Sequence, residues 1–389
     1  MDINNHAHLK IALLVRGMNI SDQAREGLGK IYQEKIYSYS LTDWIDKKIT
    51  LPSDIRLDKN IFVGFRLNTN SEWNIIKDGK KRVLEFNKNY ICDVDFIPRP
   101  KYYDFKTVKG VPLQSIGVSC GNHGLSFFIN NYCEYFKNNE NCKFCSLVPT
   151  QTRFFDTLKK KRLEDVKECL EKILELECPL DFIQLSGGSF YNHDLEAEMY
   201  LPYIKIIHNS LEKRSLNKKI PIHLTCMPPN NLSIIDKWRD TGLDTVSFDL
   251  ECPTKKFFER YCPGKAKSKG YNGMREALRY ASKIFEPGNV FSIVIMGIEP
   301  AKSFVSGLKE LLEEGITPTL NIYHHDPLSA PQMDIGEPNV DELIDMAYQI
   351  SDLFKKYNAK PGRLGCAHYD IGHEIKKGYF ENARQKKNF

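Results

Sequence analysis

Three cysteines share one polar loop, Tyr132-Cys133-Glu134-Tyr135-Phe136-Lys137-Asn138-Asn139-Glu140-Asn141-Cys142-Lys143-Phe144-Cys145, spaced C-x8-C-x2-C with Phe144 just before the last. Three thiolates on one loop can hold three irons of a cubic [4Fe–4S] cluster and leave the fourth iron open to a ligand. The short Cys142–Cys145 link lets the backbone curl until both sulfurs face one metal centre. A structural zinc site is the competing reading and needs a fourth ligand, for which Cys120 or His123 is available. Ordinary core thiols fit less well, because an Asn-rich loop offers no apolar core to bury them in.

The elements that must position this loop alternate between short β-runs and helical stripes. Leu113–Ser119 is the first expected strand, and the cysteine loop follows it. Leu163–Leu176 repeats apolar residues at helical spacing, and 181–185 reads as a buried strand running into Ser186-Gly187-Gly188-Ser189. Helices at 196–212, 231–241, 270–285 and 303–314 precede strands at Ile220–Thr225, Thr245–Leu250, Val290–Met296 and Thr317–Tyr323. A helix at 340–357 closes the series. Six β–α units demand a parallel sheet with helical crossovers, and six suit a partial (βα)6 TIM-like barrel in the α/β class. Such folds bind ligands at the C-terminal ends of their strands. The cysteine loop and Gly187-Gly188 would therefore share one rim.

Residues 1–110 read as a small β-rich N-terminal domain. A helix is expected around Ser21–Lys35, followed by β-runs at 61–65, 73–76, 82–86 and 90–94. Asp78-Gly79 marks a tight hairpin, and Pro98-Arg99-Pro100 marks a boundary. The barrel then covers 111–325, and 326–389 is an extension closing its mouth. At 389 residues, 41% hydrophobic and 27% charged, the chain has the composition of a soluble globular protein. The net charge of +5 is dispersed, without the basic, aromatic-interleaved face of a nucleic-acid binder. No apolar run approaches the ~18–20 residues that span a bilayer. The opening Met1–Lys10 lacks a signal-peptide plan. Eleven cysteines, an odd number, suit metal-bound thiolates in a reducing cytoplasm better than a disulfide framework.

Two further strand ends carry polar groups. Alternation puts Ser247, Asp249 and Glu251 on one face, where an acidic pair suits ribose hydroxyls or an ammonium group. His324, His325 and Asp326 end the sixth strand. Adjacent histidines in a strand point to opposite faces, so one of them, with Asp326, could handle substrate protons. Cys366, His368 and His373 could cap the barrel mouth.

The cysteine spacing, Phe144 and the placement after the first strand of a (βα)6 series together resemble the radical S-adenosylmethionine (radical SAM) superfamily. The commonest spacing there is C-x3-C-x2-C, so the longer first gap is a departure. The resemblance implies that Cys133, Cys142 and Cys145 bind a [4Fe–4S] cluster whose open iron chelates S-adenosylmethionine. Reductive cleavage then gives a hydrogen-abstracting 5′-deoxyadenosyl radical. Gly187-Gly188-Ser189 is similar to the family's Gly-Gly-Glu type motif for the methionine amino group, with Ser189 in place of the acid. Asp249 and Glu251 match polar positions for the cosubstrate, and Arg275 resembles a helix arginine that reaches its carboxylate. Phe144 would pack beside the cluster and adenine. Val294 and Ile295 would meet adenine or simply fill the barrel core. Cys226, Cys252, Cys262 and Cys366 could hold an auxiliary cluster, as in some members.

The expected protein is thus a cytoplasmic radical SAM enzyme acting on a small molecule and fed by a flavodoxin- or ferredoxin-type electron donor. It would contact neither nucleic acid nor membrane. The alternatives are a zinc- or iron–sulfur-stabilised barrel serving as a binding or sensor module, and a radical SAM enzyme that modifies a peptide.

Overall fold

A computed structural model describes residues 1–36, 49–57, 61–121, 123–154, 159–214, 218–326, 332–360 and 368–381. Cys366 lies outside them, as do the ends of several loops.

The chain opens with α1 (His6–Arg16), where sequence reading places no helix; nine of its eleven residues are buried. A six-stranded sheet follows, built from β1 (Asn19–Ile20), β2 (Asp54–Leu57), β3 (Ile61–Gly64), β4 (Trp73–Asp78), β5 (Lys81–Phe86) and β6 (Asn89–Phe96). Its order is β1-β4-β5-β6-β2-β3. The β4–β5 hairpin pairs Asp78 with Lys81, leaving Gly79 at φ +58° in the turn, as the Asp-Gly signal requires. The helix expected around Ser21–Lys35 is not formed. Only a single 3₁₀ turn, Gln23–Arg25, occurs there. Gly27 and Gly29 adopt positive φ and divert the chain out of helical geometry.

The second sheet has seven strands in the order β13-β12-β11-β10-β9-β8-β7. They are β7 (Val118–Cys120), β8 (Gly124–Asn130), β9 (Phe182–Gly187), β10 (Ile222–Thr225), β11 (Thr245–Ser247), β12 (Val290–Met296) and β13 (Thr317–Ile322). Strands β8 to β13 run parallel, and β7 pairs antiparallel with β8. The expected strand at Leu113–Ser119 is largely a 3₁₀ turn, Leu113–Ser115, followed by β7. The first parallel strand is instead β8, which runs directly into the cysteine loop.

Helices cover the outer face: α2 (Leu147–Phe154), α3 (Leu163–Glu175), α4 (His193–Glu212), α5 (Ser233–Asp240), α6 (Lys255–Tyr261), α7 (Pro263–Ser268), α8 (Gly270–Ile284), α9 (Ala301–Glu313), α10 (Val340–Lys356) and α11 (Gly372–Lys376). Their periodicity explains the packing. In α3, Val166, Leu170 and Ile173 form a buried stripe while Glu164 and Asp165 sit in its first turn. The Asn192 and Asn339 side chains accept amide hydrogens at the starts of α4 and α10. This is a partial TIM-like barrel. Its apolar core is continuous with that of the N-terminal sheet, because α1 packs on β3, α10 and β13.

A six-unit barrel leaves a gap between its edge strands, here β7 and β13. Two distant segments line it. Gln33 donates from Nε2 to the Ser119 carbonyl of β7 at 2.8 Å. On the other side, residues 368–371 run along β13, where the Ile322 amide donates to Tyr369 O and the Ile371 amide to Leu320 O. The Gly64 amide of β3 donates to His368 O at 2.9 Å, and a Cβ on Gly64 would sit 2.3 Å from the Tyr369 ring. Gly64 is what lets the tail and the N-terminal sheet meet.

Candidate active site

Asn130, Asn141 and Gly188 fix the cysteine loop. Asn130 ends β8 and donates from Nδ2 to Tyr132 O at 2.7 Å and to Gly188 O at 3.2 Å. The Gly188 amide returns a bond to Asn130 O at 2.7 Å, and the Glu134 amide donates to Ser189 O at 2.8 Å. A Cβ on Gly188 would lie 2.4 Å from Tyr132 O and 2.8 Å from the Cys133 Cβ. The loop after β9 therefore clasps the cysteine loop through bare backbone. Tyr135, buried, shares hydrogen bonds with Ser268 Oγ at 2.7 Å and His193 Nε2 at 3.1 Å. Asn141 donates to Gln332, and Ser146 donates to Asp326 at 2.7 Å.

Cys133, Cys142, Phe144 and Cys145 line one cavity of about 440 Å³ together with Gly187, Gly188, Ser189, Asp249 and Glu251. Burial pushes the Cys133 thiol up to about 11 and Cys145 well above its ordinary value. Cys142 is held below the ordinary value, chiefly by a hydrogen bond from Cys262. Among the described residues no three His, Cys, Asp or Glu side chains converge on a single point. A cubane takes each thiolate on its own iron. An all-thiol donor set around one face of a cavity, with a glycine cradle beside it, fits a cluster.

Ser247, Asp249 and Glu251 all line the cavity, although β11 ends at Ser247 and the two acids lie beyond the strand. Ser247 Oγ donates to Asp249 Oδ1, and Asp249 Oδ1 also accepts the Ile293 amide at 3.0 Å. Glu251 sits at φ +63°, a conformation that costs a non-glycine residue energy and is common at functional sites. Its carboxylate accepts from Lys265 Nζ at 2.8 Å, and Lys265 also donates to Asp249 O at 2.7 Å. Burial works against charge on Lys265, but Glu251, the Cys142 and Cys262 thiols and Asp249 together hold it well above its ordinary value.

Lys265 was missed in the sequence. Its signal is Cys262-Pro263-Gly264-Lys265: Pro263 starts α7, and Gly264 packs on the Tyr135 ring, where a Cβ would lie 2.5 Å away. Glu196 was also missed. Its buried carboxyl accepts the Phe190 and Met227 amides, tying the loop after β9 to the one after β10, and burial raises it to about 8.

Arg275 is a correction. Its guanidinium pairs with Glu314 at 2.7 Å and Glu310 at 3.4 Å and donates to Tyr271 OH at 2.8 Å. Those partners clamp α8 to α9, and Arg275 does not reach the cavity. Other expectations sort by side. Ile295 lines the cavity with Ile293, while Val294 is buried facing away. His324 and Asp326 line it, while His325 is exposed. Cys120 and His123 flank the start of β8, seven residues and ~20 Å of strand from the cysteine loop, so neither completes a zinc site there. Cys252 and Cys262 gather near Cys142, whereas the electrostatic neighbours of Cys226 are Glu196 and Asp249.

The thiol loop, the glycine clasp and the buried lysine–carboxylate pair thus share one cavity of a parallel partial barrel. Residues 138–323 match the Radical SAM superfamily. The family uses a [4Fe–4S] cluster and S-adenosylmethionine. The chain is 32% identical over 165 residues to the bacteriochlorophyllide c C-7(1)-hydroxylase of Chlorobaculum limnaeum, a match covering 39% of this chain and 41% of that protein. It therefore spans less than half the length of this relative. Among solved structures it is similar to methylornithine synthase, with 14% identity, a TM-score of 0.44, and coverage of 66% of this chain and 72% of that one. An FeFe-hydrogenase maturase from Carboxydothermus hydrogenoformans gives 13% identity, a TM-score of 0.45, and coverage of 63% and 57%.

Proposed function

We propose that this protein is a radical SAM enzyme that starts radical chemistry by hydrogen abstraction on a small molecule. The observation that carries the reading is that Cys133, Cys142 and Cys145 line one cavity with Gly187, Gly188, Asp249, Glu251 and Lys265. When bound, the cluster supplies the electron that cleaves S-adenosylmethionine to the 5′-deoxyadenosyl radical.

The chain's own residues bind, orient and shield. Cys133, Cys142 and Cys145 would be the thiolate ligands, and their protons leave as the cluster is loaded. The Gly187–Ser189 loop would offer backbone carbonyls to the amino group of the methionine moiety. Lys265 supplies the cation for its carboxylate, in place of Arg275. Ser247, Asp249 and Glu251 accept ribose hydroxyls, and Phe144, Ile293 and Ile295 give the adenine an apolar bed. The segments lining the barrel gap would limit the access of water and stray hydrogen donors to the reacting carbon. A small-molecule substrate is supported by the hydroxylase relative, named for acting on bacteriochlorophyllide c. A flavodoxin- or ferredoxin-type protein would deliver the electron.

Anaerobic reconstitution with iron and sulfide tests the reading. We expect a brown protein with broad visible absorption that cleaves S-adenosylmethionine on reduction, and Cys145→Ala to abolish colour and cleavage together. A colourless protein carrying one zinc per chain would sink the proposal.

A further inference from the structure

The wall that closes the barrel gap carries polar groups with no described partner. Asp54 is only 1% exposed, yet neither of its carboxylate oxygens receives a directed hydrogen bond from a described residue. His368 Nδ1 stands against Asp54 Oδ1 as an ion pair if the ring is protonated. Ser53 Oγ, Tyr323 OH and His324 Nδ1 are likewise without a described partner, although Tyr323 is only 3% exposed. Leaving such a group unpaired is costly, and native proteins hold few of them. Here they come from three segments far apart in sequence and line the same cavity as the cluster cysteines.

The other charged groups of the wall are already engaged. Lys35 donates to Phe65 O at 2.7 Å, and the Asp370 carboxylate accepts the Leu320 and Gly372 amides. With Oδ1 against His368 Nδ1, Asp54 Oδ2 is thus the open acceptor. An ionised carboxylate can only accept, so its complement is a donor. Burial holds His324 neutral, while the Tyr323 hydroxyl, pushed by burial up to about 12, keeps its proton. Both can therefore pair with a neutral polar neighbour of that donor.

We infer that this wall is the recognition site for the second substrate, with Asp54 and His368 holding a hydrogen-bond donor on it, a hydroxyl or an ammonium. Ser53, Tyr323 and His324 contact the adjoining polar atoms. A molecule anchored there extends toward the cysteine loop, which orients its reacting carbon. The assignment rests on the radical SAM reading, which supplies the reason for a second substrate in this cavity.

Ligand-observed NMR on the full, cluster-loaded chain tests it, with ethanolamine, ethylene glycol and propionate as probes at neutral pH. Ethanolamine or the glycol should bind, and Asp54→Asn should weaken that binding by about tenfold or more. His368→Gln, on a part-exposed residue, should weaken it in the same direction. Preference for ethanolamine identifies an ammonium group, and equal binding of the glycol identifies a hydroxyl. Propionate binding as well as the donors, no donor binding, or donor binding unchanged in both variants would overturn the inference. Failure of the two readings looks different. Brown protein that binds neither donor refutes the wall, and colourless protein that binds ethanolamine through Asp54 refutes the cluster.

Discussion

A cation inside a protein is tolerated only beside an anion, so where a chain buries one reports what it is built to face. Arg275 has the residue type suited to a carboxylate, but Glu314 and Glu310 already occupy its fork. Lys265 stands between Glu251 and the cysteines, in contact with the cavity. We therefore expect Lys265→Met to weaken S-adenosylmethionine binding by about tenfold or more while iron content holds. Arg275→Ala should leave that affinity unchanged and lower stability by about 1–3 kcal/mol. Anaerobic calorimetric titration and urea denaturation separate the two. Tenfold weakening in Arg275→Ala with none in Lys265→Met would reverse the assignment. Sequence favours the arginine because its type and helix are right. Which partners fill its fork depends on the neighbouring α9, which spacing does not show.

The elements were legible where one face or both is buried along the whole run. Parallel strands such as β12, Val-Phe-Ser-Ile-Val-Ile-Met, announce themselves as apolar stretches between helical stripes. The strand entering the cysteine loop was misplaced because β7 and β8 form a hairpin through positive-φ Gly121 and His123. Only the second arm, Gly124-Leu-Ser-Phe-Phe-Ile-Asn, continues into the parallel sheet. The cavity lining of these strands mixes polar side chains such as Gln184 and His223 with apolar ones such as Phe291 and Ile293. His223 on β10 shares hydrogen bonds with Thr245 Oγ1 at 2.8 Å and Thr225 Oγ1 at 3.0 Å, beside Phe291. Burial alone depresses it from 6.5 to about 3. Between those values the unfolded chain binds a proton that the native barrel refuses. Stability therefore falls as pH drops through that window, by about 1.4 kcal/mol per unit. The slope of unfolding free energy against pH should be shallower by one proton in His223→Asn, measured by urea denaturation from pH 7 to pH 4. Equal slopes would show that the imidazole titrates normally in the fold.

At the scale of the whole molecule, the two ends of the chain are welded to the barrel. The proposed wall depends on that weld, and no local pattern announces it, because Asp54 and His368 lie in segments that meet only after folding. The joint itself is a buried ion pair. Lys10 Nζ of α1 meets Glu374 Oε1 of α11 at 2.9 Å, with both side chains 0% exposed. Asp370, two residues from His368, contributes to the same electrostatic cluster. Cutting one member strands a charge in a medium that cannot solvate it, so Lys10→Met should cost about 3–5 kcal/mol. Replacing both members with apolar groups removes the desolvation penalty along with the attraction. The double variant Lys10→Met/Glu374→Leu should recover most of that loss. Urea denaturation of the two variants measures the difference. If the ends fold with the barrel as their shared core implies, the single variant shifts one cooperative transition to lower urea with an unchanged slope. An early, separate transition in Lys10→Met would instead show that α1 and α11 detach while the barrel stays folded, opening the wall before the cysteine loop is lost.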